Sequence, residues 1–255
     1  MAIFLITGYL GKTLINSDYF KIKDIIFNKG KDGFDGSTSL TINPERSRRI
    51  DFSYLIGYNI FALNLANESR HISELYPAYS NIRLIRILPN RLFISLTQRK
   101  PLAYVKLYRY FCVDKDAVLL DVPGKPEELQ LPVILGLEAK IFGARAGKQY
   151  NKELAIALNI IKEFKINSLL KNYRIERIDV ASPVNASCFL MPLELPDYTK
   201  GQAPGEFRGF EVRIGQDNIR NKIGILQDSF IQLRNDLGNI KYIDLRFKEP
   251  VIKFK

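Results

Sequence analysis

Two apolar-rich runs, 82–87 and 91–97, stand on either side of Leu88-Pro89-Asn90. Proline presets one backbone dihedral and asparagine tolerates a left-handed one, so three residues suffice to turn the chain back on itself. Strands tied this closely pair antiparallel, and a two-stranded ribbon is not stable alone. Upstream sequence must therefore supply the rest of the layer. FKIKDIIFN (20–28) opens with apolar/polar alternation at Phe20, Ile22 and then Ile25, which predicts a third strand. DFSYLIG (51–57) predicts a short helix capped by Asp51 and ended by Gly57. ANESRHISELY (66–76) predicts a second, with Ile72 and Leu75 inward and Pro77 marking its end. The expected order is β-α-α-β-β, with the helices on one face of the sheet because neither layer can bury itself alone. Residues 30–49, rich in Gly, Ser and Lys/Arg, read as a loop with a short strand at 40–42.

Pro101 is a natural domain boundary. Beyond it, strand signals dominate: LAYVKLY, RYFCV, AVLLDV and LPVILGL are short, β-branched or aromatic, and bounded by turn residues. NKELAIALNIIKEF (151–164) predicts a helix capped by Asn151, with Leu154, Leu158, Ile161 and Phe164 on one face. IERIDV (175–180) and FEVRI (210–214) predict strands. They flank a loop-rich stretch, 182–209, that carries four prolines and a short apolar piece, CFLM. The plainest helix spans 217–237, with Ile219, Ile223, Leu226, Phe230, Leu233 and Leu237 at spacings of four and three. That pattern suits packing on its own sheet; about three heptads is short for a coiled coil. YIDLRF (242–247) and VIKFK (251–255), split by Lys-Glu-Pro, close the chain as strands. The fold class is α+β: a small β-α-α-β-β domain followed by a mixed or antiparallel sheet domain with flanking helices.

The 255 residues suffice for two domains with cores of their own. A net charge of +11 favours anionic partners without choosing among them. KLYRYF (106–111) interleaves basic and aromatic residues, as a single-strand nucleic-acid binder does, but no RNA- or DNA-binding signature accompanies it, and a half-exposed strand alternates in the same way. GKDGFDG (30–36) lacks phosphate-loop spacing. Asp114, Asp116 and Asp121 lack the calcium-loop pattern and read as turn acids. His71 stands beside Arg70 on a solvent-facing helix with no nucleophile motif nearby, and Cys112 and Cys188 fit no metal spacing. No catalytic residue, metal ligand or cofactor site is expected.

The apolar run Ala2–Leu10 is shorter than the roughly 20 residues of a membrane span and has no clear cleavage site. Taken alone it is the end of a membrane helix, a short surface helix or a buried strand.

Several segments together resemble the extracytoplasmic region of the FtsQ/DivIB cell division family. They are Phe20-Lys21-Ile22-Lys23-Asp24-Ile25, GYNIFAL at 57–63, LIRILPNRLFISLTQRKPLAYV at 84–105 and YIDLRF at 242–247, in family order over nearly the whole chain. Two departures stand out: the 192–209 loop is long, and the turn at Asp114-Lys115-Asp116-Ala117 lacks the usual Gly. The resemblance implies residues 1–19 as the outer end of a single-pass anchor in the cytoplasmic membrane, 20–100 as a POTRA-like domain and 101–255 as an FtsQ-type β domain outside the cytoplasm, at the septum. It implies a scaffold, not an enzyme, linked to septal peptidoglycan synthesis.

In YIDLRF, strand alternation puts Tyr242, Asp244 and Arg246 on one face and Ile243, Leu245 and Phe247 on the other. The residues alone favour an ordinary strand pair guarded by Lys248, Lys253 and Lys255. The resemblance instead implies that an FtsB/FtsL-like partner adds a strand here. Arg246 would pair with a partner carboxylate and Phe247 with a partner aromatic, flanked by Tyr242, Lys248 and Val251. Other division proteins would dock on the POTRA-like domain. POTRA domains also receive polypeptides in outer-membrane assembly and secretion systems, but the regular barrel strands expected there are missing.

Overall fold

The structure, a computed structural model, describes residues 13–30, 50–121, 130–141, 147–149, 151–193, 209–233 and 237–255. The first part of the expected anchor, the 31–49 loop with its short strand, and residues 194–208 of the long loop lie outside these. The chain divides into two compact units, Met1–Arg99 and Lys100–Lys255.

The first unit holds β1 (Asp24–Gly30), α1 (Leu65–Leu75), β2 (Tyr79–Ile87) and β3 (Arg91–Gln98). The sheet order is β1-β3-β2, with β3 parallel to β1 and antiparallel to β2. Strand β3 is central, and its alternate residues Leu92, Ile94 and Leu96 are fully buried. They pack against Phe52, Leu55, Ile60, Leu63 and Ile72 from the covering layer.

Asn64 starts α1 by accepting from the backbone N–H groups of Ala66 and Asn67 at 3.1 Å. Ile72 faces the core as expected, but Leu75 is 42% exposed. The helix ends there, and Tyr76 turns inward instead, its ring 6.3 Å from that of Phe52. The segment at 51–57 closes only one 3-10 turn, Ser53–Leu55. Asp51 does cap it, accepting from the Ser53 N–H at 2.8 Å, and Gly57 leaves it with φ +88°. Phe20–Ile22, expected as strand, pairs instead with the loop at 58–60, through the Ile22 N–H to Tyr58 and the Ile60 N–H to Phe20.

Among the described residues, the second unit is one sheet of ten strands. Along the chain they are β4 (Ala103–Lys106), β5 (Tyr110–Val113), β6 (Val118–Leu120), β7 (Val133–Leu135), β8 (Gly147–Lys148), β9 (Tyr173–Asp179), β10 (Ser187–Pro192), β11 (Phe210–Arg213), β12 (Ile240–Asp244) and β13 (Val251–Phe254). Across the sheet the order is β13-β12-β11-β10-β9-β7-β4-β5-β6-β8. Besides β4–β7, the pairs β7–β9 and β11–β12 are parallel, and each of these two needs a crossover. These crossovers contain α2 (Lys152–Ile166) and α3 (Ile219–Gln232).

The two helices share one core with the sheet. Asn151 caps α2 by accepting from the Leu154 N–H at 2.8 Å. Beyond the predicted face, Ile156 and Ile160 are also buried, which fits a helix packed on α3 as well as on the sheet. The predicted stripe of α3 is buried at Ile219, Ile223, Leu226 and Phe230; the helix stops at Gln232, and Leu237 reaches the core from a separate 3-10 turn.

CFLM is not part of a loop: it forms the middle of β10, an interior strand between β9 and β11. Cys188 and Leu190 point into the core, and Phe189 and Met191 lie on the opposite face. Its four-residue apolar signal is short, and the flanking prolines hide it. The Gly-less turn after β5 is held by Asp114, which accepts from the N–H groups of Asp116 and Val118, with Ala117 at φ +60°.

Strands β4, β5 and β6 are buried on both faces. On the side away from the helices, Tyr104, Cys112, Val118 and Leu120 form a second cluster. Cys112 on β5 and Cys188 on β10 are four strand spacings apart, roughly 19 Å, too far for a disulfide. Burial pushes both thiols up to about 12. Neither thiol should react with a thiol-specific reagent in the native protein at neutral pH, and both should react at once in denaturant; a colorimetric titration reads this directly.

Candidate protein-interaction edge

The second unit's sheet is open, and β13 is its last strand on the C-terminal side. One side of β13 pairs with β12, in the register Ile243↔Ile252 and Asp244↔Val251. Its other side has no strand among the described residues. An open edge presents unpaired N–H and C=O groups, and natural edges are usually guarded by charge, brevity or a bulge. Strand β13 is four residues long and carries Lys253, but Val251 and Phe254 are 45% and 46% exposed.

Here the helix-free face of the sheet is solvent-facing, and the registers line its side chains up in two rows. One runs Arg177, Phe189, Glu211, Tyr242, Lys253; the other runs Asp179, Ser187, Arg213, Asp244, Val251. The Arg213 guanidinium stacks over Tyr242 at 4.3 Å and reaches Glu211 at 3.2 Å, and Arg177 stacks over Phe189 at 4.3 Å. Between them runs a groove of about 550 Å³.

All five residues expected at the partner site lie on this corner. Tyr242 is on β12 beside Arg213, and Val251 opens β13 opposite Asp244. Arg246, Phe247 and Lys248 belong to the connection between the strands. Strand β12 stops at Asp244, so alternation does not carry on to residue 247. Ile243 and Leu245 share a buried face, whereas Phe247, expected on the same face, is 62% exposed, out in the turn.

Arg246 does not reach outward as a free cation. Its side chain donates to the Asp244 carboxylate at 2.9 Å from Nε and 2.6 Å from Nη2, and to Asn185. Its backbone N–H also donates to Asp244, at 3.1 Å. Gly215, at φ +74°, leaves room for the stem: a Cβ there would lie 3.5 Å from Arg246 Cγ and 3.0 Å from the Val184 carbonyl oxygen. Asp244 is only 3% exposed. Burial would raise its pKa, but the hydrogen bonds and charge of Arg246, with Arg213 behind, outweigh that and hold it below its ordinary value. Asp244 is the residue the sequence reading passed over. The signal was the i, i+2 spacing of Asp and Arg in YIDLRF, which allows a carboxylate to hold a guanidinium just past the strand end.

Comparison with known proteins gives the same answer across most of the chain. Relatives named cell division protein FtsQ are 28% identical over 251 residues in Syntrophotalea carbinolica, 24% over 200 in Koribacter versatilis and 24% over 200 in Geotalea daltonii. The matches cover 96%, 77% and 77% of this chain, and 77%, 52% and 65% of those relatives. Over most of its length the chain is similar to the FtsQ cell division proteins. No family model matches it. That similarity supports a role in cell division, and the α+β architecture agrees with a POTRA-like unit followed by a β domain.

The Asp244–Arg246 pair has a pH signature. Because the folded pKa of Asp244 is lowered, the stability it adds is present above the unfolded value of about 3.8 and lost as pH falls through the lower folded value. Arg246→Ala should therefore move the midpoint of acid unfolding to higher pH, read by circular dichroism. The shift should vanish in an Asp244→Asn background; persistence there would mean Arg246 acts through another group.

Proposed function

We propose that this chain is a non-enzymatic scaffold of the division machinery, anchored in the cytoplasmic membrane through its N-terminal segment, with its bulk outside the cytoplasm at the septum. Residues 101–255 capture an extended segment of an FtsB/FtsL-like protein, which adds as a further strand beside β13. Residues 20–100 dock other division proteins, and the assembly acts on septal peptidoglycan synthesis. The observation that carries this reading is the open side of β13, flanked by exposed Phe247, Val251 and Phe254.

Strand addition gains backbone hydrogen bonds, and neighbouring side chains supply selectivity. Phe247 offers an aromatic surface to pack against. A guanidinium has five N–H donors, and the bonds to Asp244 and Asn185 engage three of them, so two remain for a partner carboxylate. Asp244 thus holds Arg246 in one orientation before a partner arrives, which lowers the ordering cost of binding.

Two substitutions separate binding from folding. Phe247→Glu touches a side chain already in water and should leave thermal stability unchanged. Arg246→Glu sets a carboxylate against buried Asp244 and should cost roughly 2 kcal/mol of stability. The test is a pull-down of residues 20–255 with the extracytoplasmic segment of an FtsB-like protein from the same genome, in moderate salt. Phe247→Glu should weaken capture about tenfold or more, and a chain ending at Asn239, if folded, should capture nothing. Undiminished capture by the shortened chain would rule out this edge.

A further inference from the structure

The first unit carries a second exposed apolar surface, far in sequence from β13. It is built where the N-terminal segment meets the loop that precedes α1. The Asn59 side chain, only 9% exposed, donates to the carbonyl oxygens of Leu14 at 2.9 Å and Ser17 at 3.3 Å. Its oxygen accepts from the Phe61 N–H at 2.9 Å. The Phe20 ring stands edge-on to Tyr19 at 5.2 Å and to Phe61 at 5.0 Å. The loop is held from behind by Arg86, whose guanidinium donates to the carbonyls of Ile60 and Leu63 at 2.6 and 2.7 Å. On this fixed frame Leu14, Tyr19, Tyr58 and Phe61 are 39%, 63%, 57% and 38% exposed.

A floppy loop that failed to bury its side chains would not be hydrogen-bonded on both sides in this way. The apolar groups are displayed, and the chain itself limits what can cover them. Leu14 follows the apolar run Ala2–Leu10 by four residues, about 14 Å of fully extended chain at most. If that run ends in a bilayer, Asn59 ties the loop to a segment that cannot leave the bilayer surface. Tyr rings settle at a membrane–water interface, and Phe and Leu enter it with Lys or Arg at the polar side; Lys21, which also pairs with Asp18 at 2.6 Å, and Lys23 stand exposed beside them.

We propose that this surface, formed by Leu14–Phe20 and Tyr58–Phe61, seats the first unit on the lipid headgroup layer, with Tyr19, Tyr58 and Phe61 inserted at the interface and Lys21 and Lys23 facing lipid phosphates. The proposal rests on the membrane-anchor reading above and goes beyond it. An anchor alone would leave the unit swinging on its tether, whereas the seated surface fixes the unit's orientation relative to the bilayer.

The protein has no tryptophan, so single-tryptophan reporters are clean. Tyr19→Trp, Phe61→Trp and, as an exposed control at the far end of α1 from this loop, Leu75→Trp are each reconstituted as the full chain into phosphatidylcholine/phosphatidylglycerol vesicles. The lipids are used with and without bromine on the upper acyl carbons. The more exposed Tyr58→Trp replaces Phe61→Trp if the latter disturbs the fold. The expected result is flotation of every variant with the vesicles, and blue-shifted, bromine-quenched emission at both positions 19 and 61 (or 58) but not at 75. Quenching at 19 alone would show only nearness to the tether and would overturn the proposal, as would no quenching in a floating chain. Failure to float would overturn the anchor reading and the seating with it.

Discussion

Every open sheet ends in strands whose outer N–H and C=O groups lack a strand to pair with, and this constraint organises the second unit. At the β4–β6 end, two apolar clusters bury the sheet on both faces. Towards β13 only the helix-bearing face is buried, and the other is wet. The sheet thus passes from an interior that nothing can enter to a corner that offers free backbone, aromatic rings and fixed charges. The parallel β11–β12 pair makes this possible: α3 carries the chain across the core face, so the last hairpin falls at the rim rather than in the middle.

Asp244 makes that corner specific. A carboxylate buried at a strand end costs free energy unless it is paired, and Arg246 pairs it with three side-chain contacts and a backbone one. One interaction ends β12, shapes the turn into β13 and points a guanidinium. Arg246 is thereby both a structural partner and a candidate contact residue, whereas Phe247, adjacent in sequence and 62% exposed, meets the guanidinium only at the edge of cation–π range, 5.9 Å. That difference is why the two neighbours should respond differently to substitution.

The first unit applies the same physics on a smaller scale. Arg86 and Asn59 fix a loop by donating to its backbone and to that of the incoming chain, and the apolar side chains left outside are held in place. In both units a polar residue within the chain, rather than the exposed ring itself, decides what is presented to a partner.

Periodicity carried much of the architecture in the sequence. The Leu-Pro-Asn hairpin, the Asn151 cap and the four-three spacing of α3 depend on local geometry, which a few adjacent residues specify. The ordered family motifs around them were likewise legible. CFLM was not read as a strand, because its strand character comes from β9 and β11 on either side rather than from its own four residues. Ser53–Leu55 fell short of a helix, and Leu75 faced out, because the packing of Phe52 and Tyr76 set where the covering layer ends. Strand alternation placed Phe247 opposite Arg246 across a strand, but the Asp244 clamp ends that strand first. The sequence by itself determined most element types, their order and the location of the closing hairpin. Only the tertiary structure decided which strand became the edge, which cation was already held, and which rings stayed wet, because those depend on groups far apart in the chain competing for the same partners.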